Sequence, residues 1–599
     1  MIELKHFKYY WLLIAIIALS PLWIVGLFDR GYWTPDEPRE ADIAWRMSIQ
    51  HDRTLPQLAA VPFLEKPPLT YWLSGMAMHV FSDSASAARA PNLLYAVVVA
   101  LSIGVLMFSM GGGIAACIAA LIAGSAFTAY QVSIWLAPDA CLIAGCAISL
   151  LGLYRGYSAS DSQKKFGWYT LMHAGALIGF MAKSGPGWIY PGLTIVVLAL
   201  WERRYKELVR WELWAGLVLQ VAAIGTWIYG VVQLPDGLND LRVLFWNNIV
   251  GRFTDLHAAG ALDYASGHKN WFGKYFVELP YYLFPWTLLV AAALHRAWRA
   301  MRIKGPDGTP WRFALSASVP FVVLLSLATT ARSIYVAPAL LGFSVLVGVW
   351  SRTLESSPTL HDESALTATR YVVMFFAVIM IVALGAMVMA TLGNQASRNA
   401  THLIIAALGI TLIASITLWR SAVFQRRRNF YQSLGYAYIA YAASITVGSI
   451  ALFPQLDQWQ DLGLLARTIH HDVGEKAFAL FDADETTVAM MDHRLLSSFA
   501  IVDGENHAPQ AVISWFKAHP DGRMLVRLPG HATGPLTELF NRIHQQRPPG
   551  DDQLSVLEQA NAARLVARYE LAQGRRYALI EAPGSDDAHA STIKLLAAR

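Results

Sequence analysis

Between Trp33 and Pro68 the chain reads WTPDEPREADIAWRMSIQHDRTLPQLAAVPFLEKPP, gathering Asp36, Glu37, Arg39, Glu40, Asp42, Arg46, Glu65 and Lys66 just after the apolar run Tyr10–Phe28. Charge of both signs beside a membrane-length segment is costly unless it is paired or used, so it points to chemistry at the membrane surface. Asp36 and Glu37 stand between Pro35 and Pro38, where a helix through READIAWRM begins and its dipole favours negative charge. Capping accounts for one such acid. It leaves Arg39 and the second cluster, Glu65-Lys66-Pro67-Pro68, without a reason. Asp139, in IWLAPDACL, is an isolated acid after Pro138 and taken alone reads as a helix cap. As chemistry, Asp36 and Asp139 suit a general base or a group that orients an acceptor hydroxyl. Arg39, Lys66, Lys183, Arg252 and Arg332 suit a clamp on phosphate. Glu65 can hold a divalent cation together with other oxygen or nitrogen ligands. Acids and cations at a lipid–water boundary suit a reaction on a phosphorylated lipid, whose leaving phosphate needs cationic stabilisation.

The elements that must position these residues are membrane helices. The chain has 599 residues, 55% hydrophobic and only 15% charged, a composition that excludes an ordinary soluble domain. Runs long enough for the ~30 Å hydrocarbon core fall at roughly 10–28, 91–110, 113–130, 137–155, 166–182, 186–201, 211–232, 279–299, 312–329, 333–351, 371–392, 401–419 and 433–453. The expected fold is therefore a polytopic α-helical membrane protein of about 13 transmembrane helices. Lys183-Ser184-Gly185-Pro186-Gly187 interrupts two of the shorter runs, because a helix cannot continue through it. The net charge of +5 lies in loops, with no stripe suited to nucleic acid. All three cysteines (Cys117, Cys141, Cys146) fall in apolar runs, which gives neither a disulfide framework nor metal spacing.

Lys and Arg set the orientation. With the N-terminus in the cytoplasm, the basic clusters near 155–165, 201–210, 295–304 and 419–428 all fall inside. The segment 29–90, the segment 233–278 and the C-terminal part then fall outside, on the side of Asp36 and Asp139. Lys183 and Arg332 break the pattern, and either snorkel to headgroups or bind an anion at the external face. Segments 41–50 and 69–81 pattern as amphipathic helices. From Pro454 onward strand-length runs (477–483, 498–504, 524–528, 577–582) alternate with helical patterns (462–471, 509–519, 534–546, 553–571). These predict a small α/β domain over 454–599, following a membrane domain over 1–453.

The loop T-P-D-E-x-R, then E-K-P-P, then RAPN at 89–92 and the isolated P-D at 138–139 resemble the bacterial GT-C glycosyltransferases of the protein-mannosyltransferase superfamily. Among these they resemble the aminoarabinose transferases of lipid A. The resemblance implies an inverting transfer of a monosaccharide from a polyprenyl (undecaprenyl) phosphate to an acceptor at the periplasmic face, lipid A or another envelope glycolipid, in the bacterial inner membrane. It implies membrane lipids as surroundings and no nucleotide cofactor. By motif it carries the roles of that site onto Asp36, Arg39, Glu65, Lys66, Asp139 and Arg252. A divalent metal ion, with Glu65 as a ligand, is the one candidate cofactor. The chain departs from the aminoarabinose enzymes in lacking a histidine just before Arg252, where the sequence is FWNNIV. The competing expectation is a secondary transporter or flippase for a lipid-linked or anionic substrate. The break at 183–187 favours it; the gathering of charge at one face and the lack of internal repeats oppose it.

Overall fold

A computed structural model describes residues 10–246, 271–303, 305–328, 332–392, 397–495, 499–502, 508–528, 554, 557, 562–571, 575–583 and 592–596. The chain forms two compact units. One comprises Met1–Asp29, Met47–Gln57 and Pro62–Phe453; the other comprises Arg30–Arg46, Leu58–Val61 and Pro454–Arg599.

The first unit is helical. Among the described residues, seven helices are long and apolar enough to cross a membrane, or nine if two bent pairs each count as one span. This corrects the expectation of about thirteen, and the causes are local. The run at 113–130 bends by 63° between Gly113–Ser125 and Phe127–Ile134, and the run at 279–299 belongs to a pair bent by 118°. The run at 312–329 is two eight-residue helices, Thr309–Ser316 and Val319–Ser326; Pro320, which has no N–H to donate, sits in the first turn of the second. Tyr10–Ile24 and Pro186–Trp201 are apolar but only 15 and 16 residues long, about 23 Å at 1.5 Å per residue. The run at 166–182 lies in Ser162–Lys183, whose lysines sit at its two ends. Ala337–Ser351 is apolar nearly all round and buried at every position, as an apolar helix in the middle of a bundle must be. Leu360–Met389, by contrast, has only 17% of its most apolar window buried, which leaves its side chains for lipid.

One helical hairpin matters most for the site. Asp139–Ser158 and Ser162–Lys183 are joined by three residues, so they run antiparallel and the first residue of one meets the last of the other. Glycines set their closeness: a Cβ on Gly145 would lie 2.6 Å from the carbonyl oxygen of Gly175. Small residues are what allow two membrane helices to approach to backbone contact.

The second unit holds a six-stranded mixed sheet, in the order Ala500–Val502, Phe478–Phe481, Arg523–Leu528, Arg576–Glu581, Arg564–Leu571, Thr592–Leu596. The first three strands are parallel, Arg576–Glu581 is antiparallel to both its neighbours, and Thr592–Leu596 is parallel to Arg564–Leu571. Phe481, Met524, Val526, Ala578 and Ile580 build one core with Val512 and Phe516 of helix Ala508–Ala518. The helical expectation for 553–571 is overturned over Arg564–Leu571, which is a strand with Ala567 and Tyr569 turned inward. That is the period of two, and pairing with Arg576–Glu581 enforces it. The helix expected at 534–546 lies outside the described residues.

Candidate functional site

In the first unit the hairpin brings Asp139 and Lys183 together. The Lys183 ammonium donates to Asp139 Oδ1 at 2.6 Å, and the two side chains are only 10% and 5% exposed. The ammonium also stands over the Tyr335 ring, 4.0 Å from its centroid, a cation–π contact. Lys183 therefore does not snorkel. Asp139 is not a cap either: Pro138 holds the N-cap position and Asp139 is the first helical residue, its carboxylate turned to the lysine. Ser184, with φ +54°, makes the turn into Pro186–Trp201 and is itself buried. The approach to Asp139 is fixed by the RAPN motif. Asn92 donates to the Trp135 carbonyl at 2.7 Å, and the fully buried Arg89 donates to the Leu27 carbonyl at 3.0 Å.

Arg332 precedes the short helix Ser333–Val336 that carries Tyr335. The Arg332 carbonyl accepts the Tyr275 hydroxyl at 2.8 Å, and Glu278 accepts from Tyr282 and Ser333. Glu65 and Lys66 lie in a turn, 3.9 Å apart and about five-sixths buried, with the ammonium 5.6 Å from the centre of the Phe63 ring. Arg252, and the stretch 247–270 around it, lies outside the described residues.

In the second unit, Asp36 and Arg39 share the first turn of helix Asp36–Ile49, 3.4 Å apart. Their acidic neighbour Glu37 is structural. It is fully buried, bonded by both oxygens to Arg30 at 2.5 and 2.8 Å, and it accepts the Trp33 amide. With Glu37 committed in this way, Asp36, its side chain 31% exposed, is the acid of the pair open to solvent. Two arginines on the same helix reach helix Glu485–Leu495: Arg39 bonds Glu485 at 2.8 Å and Arg46 bonds Asp492 at 2.5 Å. Their spacing of seven residues matches that of the two acids, so two turns of one helix lie along two turns of the other. Between these pairs Asp42 is buried. Burial first, and then a hydrogen bond and repulsion from Asp492, push its carboxyl well above the usual range, against the opposing Arg46 and the Ala59 amide. A hydrogen bond between the Asp42 and Asp492 carboxyls needs a proton on one of them, which is the state the raised carboxyl favours.

Sequence reasoning missed Arg30, Tyr335, Glu485 and Asp492. Only Arg30 left a signal, as a basic residue at the end of the first apolar run, seven residues before Glu37. Among the described residues no three His, Cys, Asp or Glu side chains gather as metal ligands, and Glu65 faces Lys66.

Comparison with known proteins gives a consistent picture. The family described as dolichyl-phosphate-mannose-protein mannosyltransferase matches residues 65–229. An undecaprenyl phosphate-alpha-4-amino-4-deoxy-L-arabinose arabinosyl transferase of Serratia proteamaculans is 25% identical over 350 residues, 58% of this chain and 60% of the relative. One from Pseudomonas aeruginosa is 25% identical over 431 residues, 68% and 71% of the two chains. This chain thus spans about 60% of the length of the first of these relatives. The crystal structure of ArnT from Cupriavidus metallidurans bound to undecaprenyl phosphate superposes with a TM-score of 0.67 at 16% identity, covering 95% of this chain and 98% of that one. The chain is a polytopic α-helical protein with a C-terminal β-sheet domain, and it closely resembles the GT-C glycosyltransferases that transfer aminoarabinose from undecaprenyl phosphate.

Proposed function

We propose that this chain is an inverting glycosyltransferase of the bacterial inner membrane, moving a monosaccharide from a polyprenyl-phosphate donor to an acceptor at the periplasmic face. Lipid A, or another envelope glycolipid, is the acceptor this reading favours. An acceptor oxygen attacks the anomeric carbon, the bond from that carbon to the phosphate oxygen breaks, and polyprenyl phosphate leaves with the electron pair. The N-terminus is then cytoplasmic and the C-terminal domain periplasmic.

The observation that carries the reading is the ion pair at the mouth of the hairpin. Lys183 has three N–H donors. Asp139 takes one, the Tyr335 face shields the charge, and the rest are available to phosphate oxygens. A cation held in place before the reaction stabilises the leaving phosphate without reorganisation. Lys66, Arg252, Arg332 and Arg39 are the further cations assigned to donor or acceptor phosphate. Asp36 is assigned the acceptor side. With a hydroxyl acceptor it takes the proton as the new bond forms; with a phosphate acceptor, already an anion, it orients. The C-terminal domain, through Glu485 and Asp492, holds the helix that carries Asp36.

The test is transfer by the purified full chain from a polyprenyl-phosphate sugar, with lipid A of a null strain read by mass spectrometry. Loss of one sugar mass from the null strain, restored by wild type but not by Asp36→Asn, is expected. A null strain with every envelope glycan intact sinks the reading.

A further inference from the structure

A cavity of about 810 Å³ opens at the far end of the same hairpin, lined by Tyr154, Ser158, Trp201, Glu202, Arg203, Arg204, Arg302 and Arg312 among others. Helix Asp139–Ser158 has 20 residues, so its two ends lie about 30 Å apart, a membrane thickness. The cavity therefore faces the leaflet opposite Asp139.

Its floor is a neutral, fully engaged pair. Arg312 bonds Glu202 at 2.8 Å and donates to the carbonyls of Met301, Ile303 and Gly305. Glu202 also accepts from Thr309 at 2.7 Å and Tyr157 at 2.9 Å. Both carboxylate oxygens of Glu202 are hydrogen-bonded within this floor, and its charge is matched by Arg312. That wall carries Arg203, Arg204 and Arg302, all exposed. Arg204 stacks on Tyr157 at 4.0 Å, with Glu207 at 3.4 Å. Glu207 is also bonded to the buried Lys165 and to Tyr169. Arg203 adopts φ +57°, the left-handed conformation where a helix end ordinarily places glycine. Keeping a long cationic side chain at such a position costs energy, and strained residues of this kind cluster at ligand clamps.

We propose that this cavity binds the phosphate ester of an anionic phospholipid headgroup in the leaflet remote from Asp139. Basic pockets between membrane helices recognise such headgroups, each cation near the surface contributing about 1 kcal/mol. Trp201 and Tyr154 supply the amphipathic walls that line headgroup-level sites.

The full chain, purified in detergent and assayed for phosphatidylglycerol by native mass spectrometry, tests this. Arg203→Gly combined with Arg302→Ala should lower the affinity about thirtyfold, two cations at the stated contribution each, while phosphatidylethanolamine binding stays low and unchanged. Arg203→Gly alone relieves the strained φ. It should unfold no earlier than wild type yet bind less lipid, which separates loss of the site from loss of the fold. Millimolar inorganic phosphate that fails to displace the lipid assigns the site to headgroups; phosphate that displaces it assigns the same chemistry to a soluble phosphate ester. Equal phosphatidylglycerol binding by wild type and the double variant, or equal binding of both lipids by wild type, overturns the proposal.

Discussion

The Asp139–Lys183 pair makes a prediction that can be worked from its geometry. At 2.6 Å, with an effective dielectric of about 20, the gross attraction is about 6 kcal/mol. Much of that offsets desolvation, so the measurable quantity is the stability lost when one partner is removed. Lys183→Met leaves Asp139, 5% exposed, as a buried carboxylate without its cation; such losses run to ~3–5 kcal/mol. Asp139→Asn leaves the ammonium with an amide and the Tyr335 ring in place of a carboxylate. Because Lys183 keeps a tenth of its side chain exposed, the lower end applies, about 3 kcal/mol for each single change. The double variant has no unpaired charge and should lose no more than either single variant. It therefore falls short of additivity by about 3 kcal/mol, a coupling expected only of groups in direct contact. The assay is denaturant unfolding of the four proteins in mixed micelles, with transfer measured in parallel. Both single variants should lose transfer, and the double variant should regain stability without regaining activity. Additive stability losses would refute the contact, and full transfer by Lys183→Met would refute the phosphate role of the lysine.

Charge reversal across the paired helices, Arg39→Glu with Glu485→Arg, should restore protease resistance of the C-terminal domain lost in either single variant; transfer should stay low, because Arg39 is also assigned to phosphate. Asp42→Asn should stabilise the second unit at neutral pH. The raised carboxyl binds its proton more tightly when folded, so stability falls as pH rises from about 4, the unfolded carboxylate value, to the folded one, and a pH series of thermal unfolding should lose that slope in the variant. Asp484 gives the opposite slope: burial opposes its ionisation, but Arg527 and Arg575 outweigh it and hold the carboxyl low. Its contribution is present above about pH 4 and lost below, and Asp484→Asn should make the domain less stable at neutral pH and flatten the acid limb. Gly145→Leu should part the hairpin and abolish transfer with Asp139 and Lys183 both intact, because a Cβ there already meets the Gly175 carbonyl at 2.6 Å.

The legible parts were those written in composition and local chemistry. Apolar length exposed the membrane helices, and the break after Lys183 exposed a helix end. The strands at 478–481, 500–502, 523–528 and 576–581 stood out as short apolar runs. The span count failed because hydropathy reports burial without reporting continuity: 113–130 is apolar throughout yet turns at Ala126, and 312–329 breaks before Pro320. The pairing of Asp139 with Lys183 was within reach, since two helices of 20 and 22 residues joined by a three-residue link must meet at their free ends. Glu485 and Asp492 were not within reach. Their partners are some 450 residues away, and no local pattern encodes a contact at that separation.

That separation bears on what the C-terminal domain does. Arg30–Arg46, although it lies in the first loop by sequence, belongs to the same compact unit as Pro454–Arg599. The Arg30–Glu37 pair, the Arg39–Glu485 and Arg46–Asp492 pairs and the carboxyl pair of Asp42 with Asp492 are all internal to that unit. A hydrophobic seam would have held the helix as firmly. Buried charge instead fixes register, because a shift by one turn would leave each arginine beside the wrong side chain with its own charge uncompensated. The charge that first marked 33–68 thus divides by physical role. Arg39 and Arg46 tie the helix to Glu485 and Asp492, while Glu37 holds Arg30 and the Trp33 amide ahead of it. Asp36, on the first turn of that helix, keeps nearly a third of its side chain open to solvent.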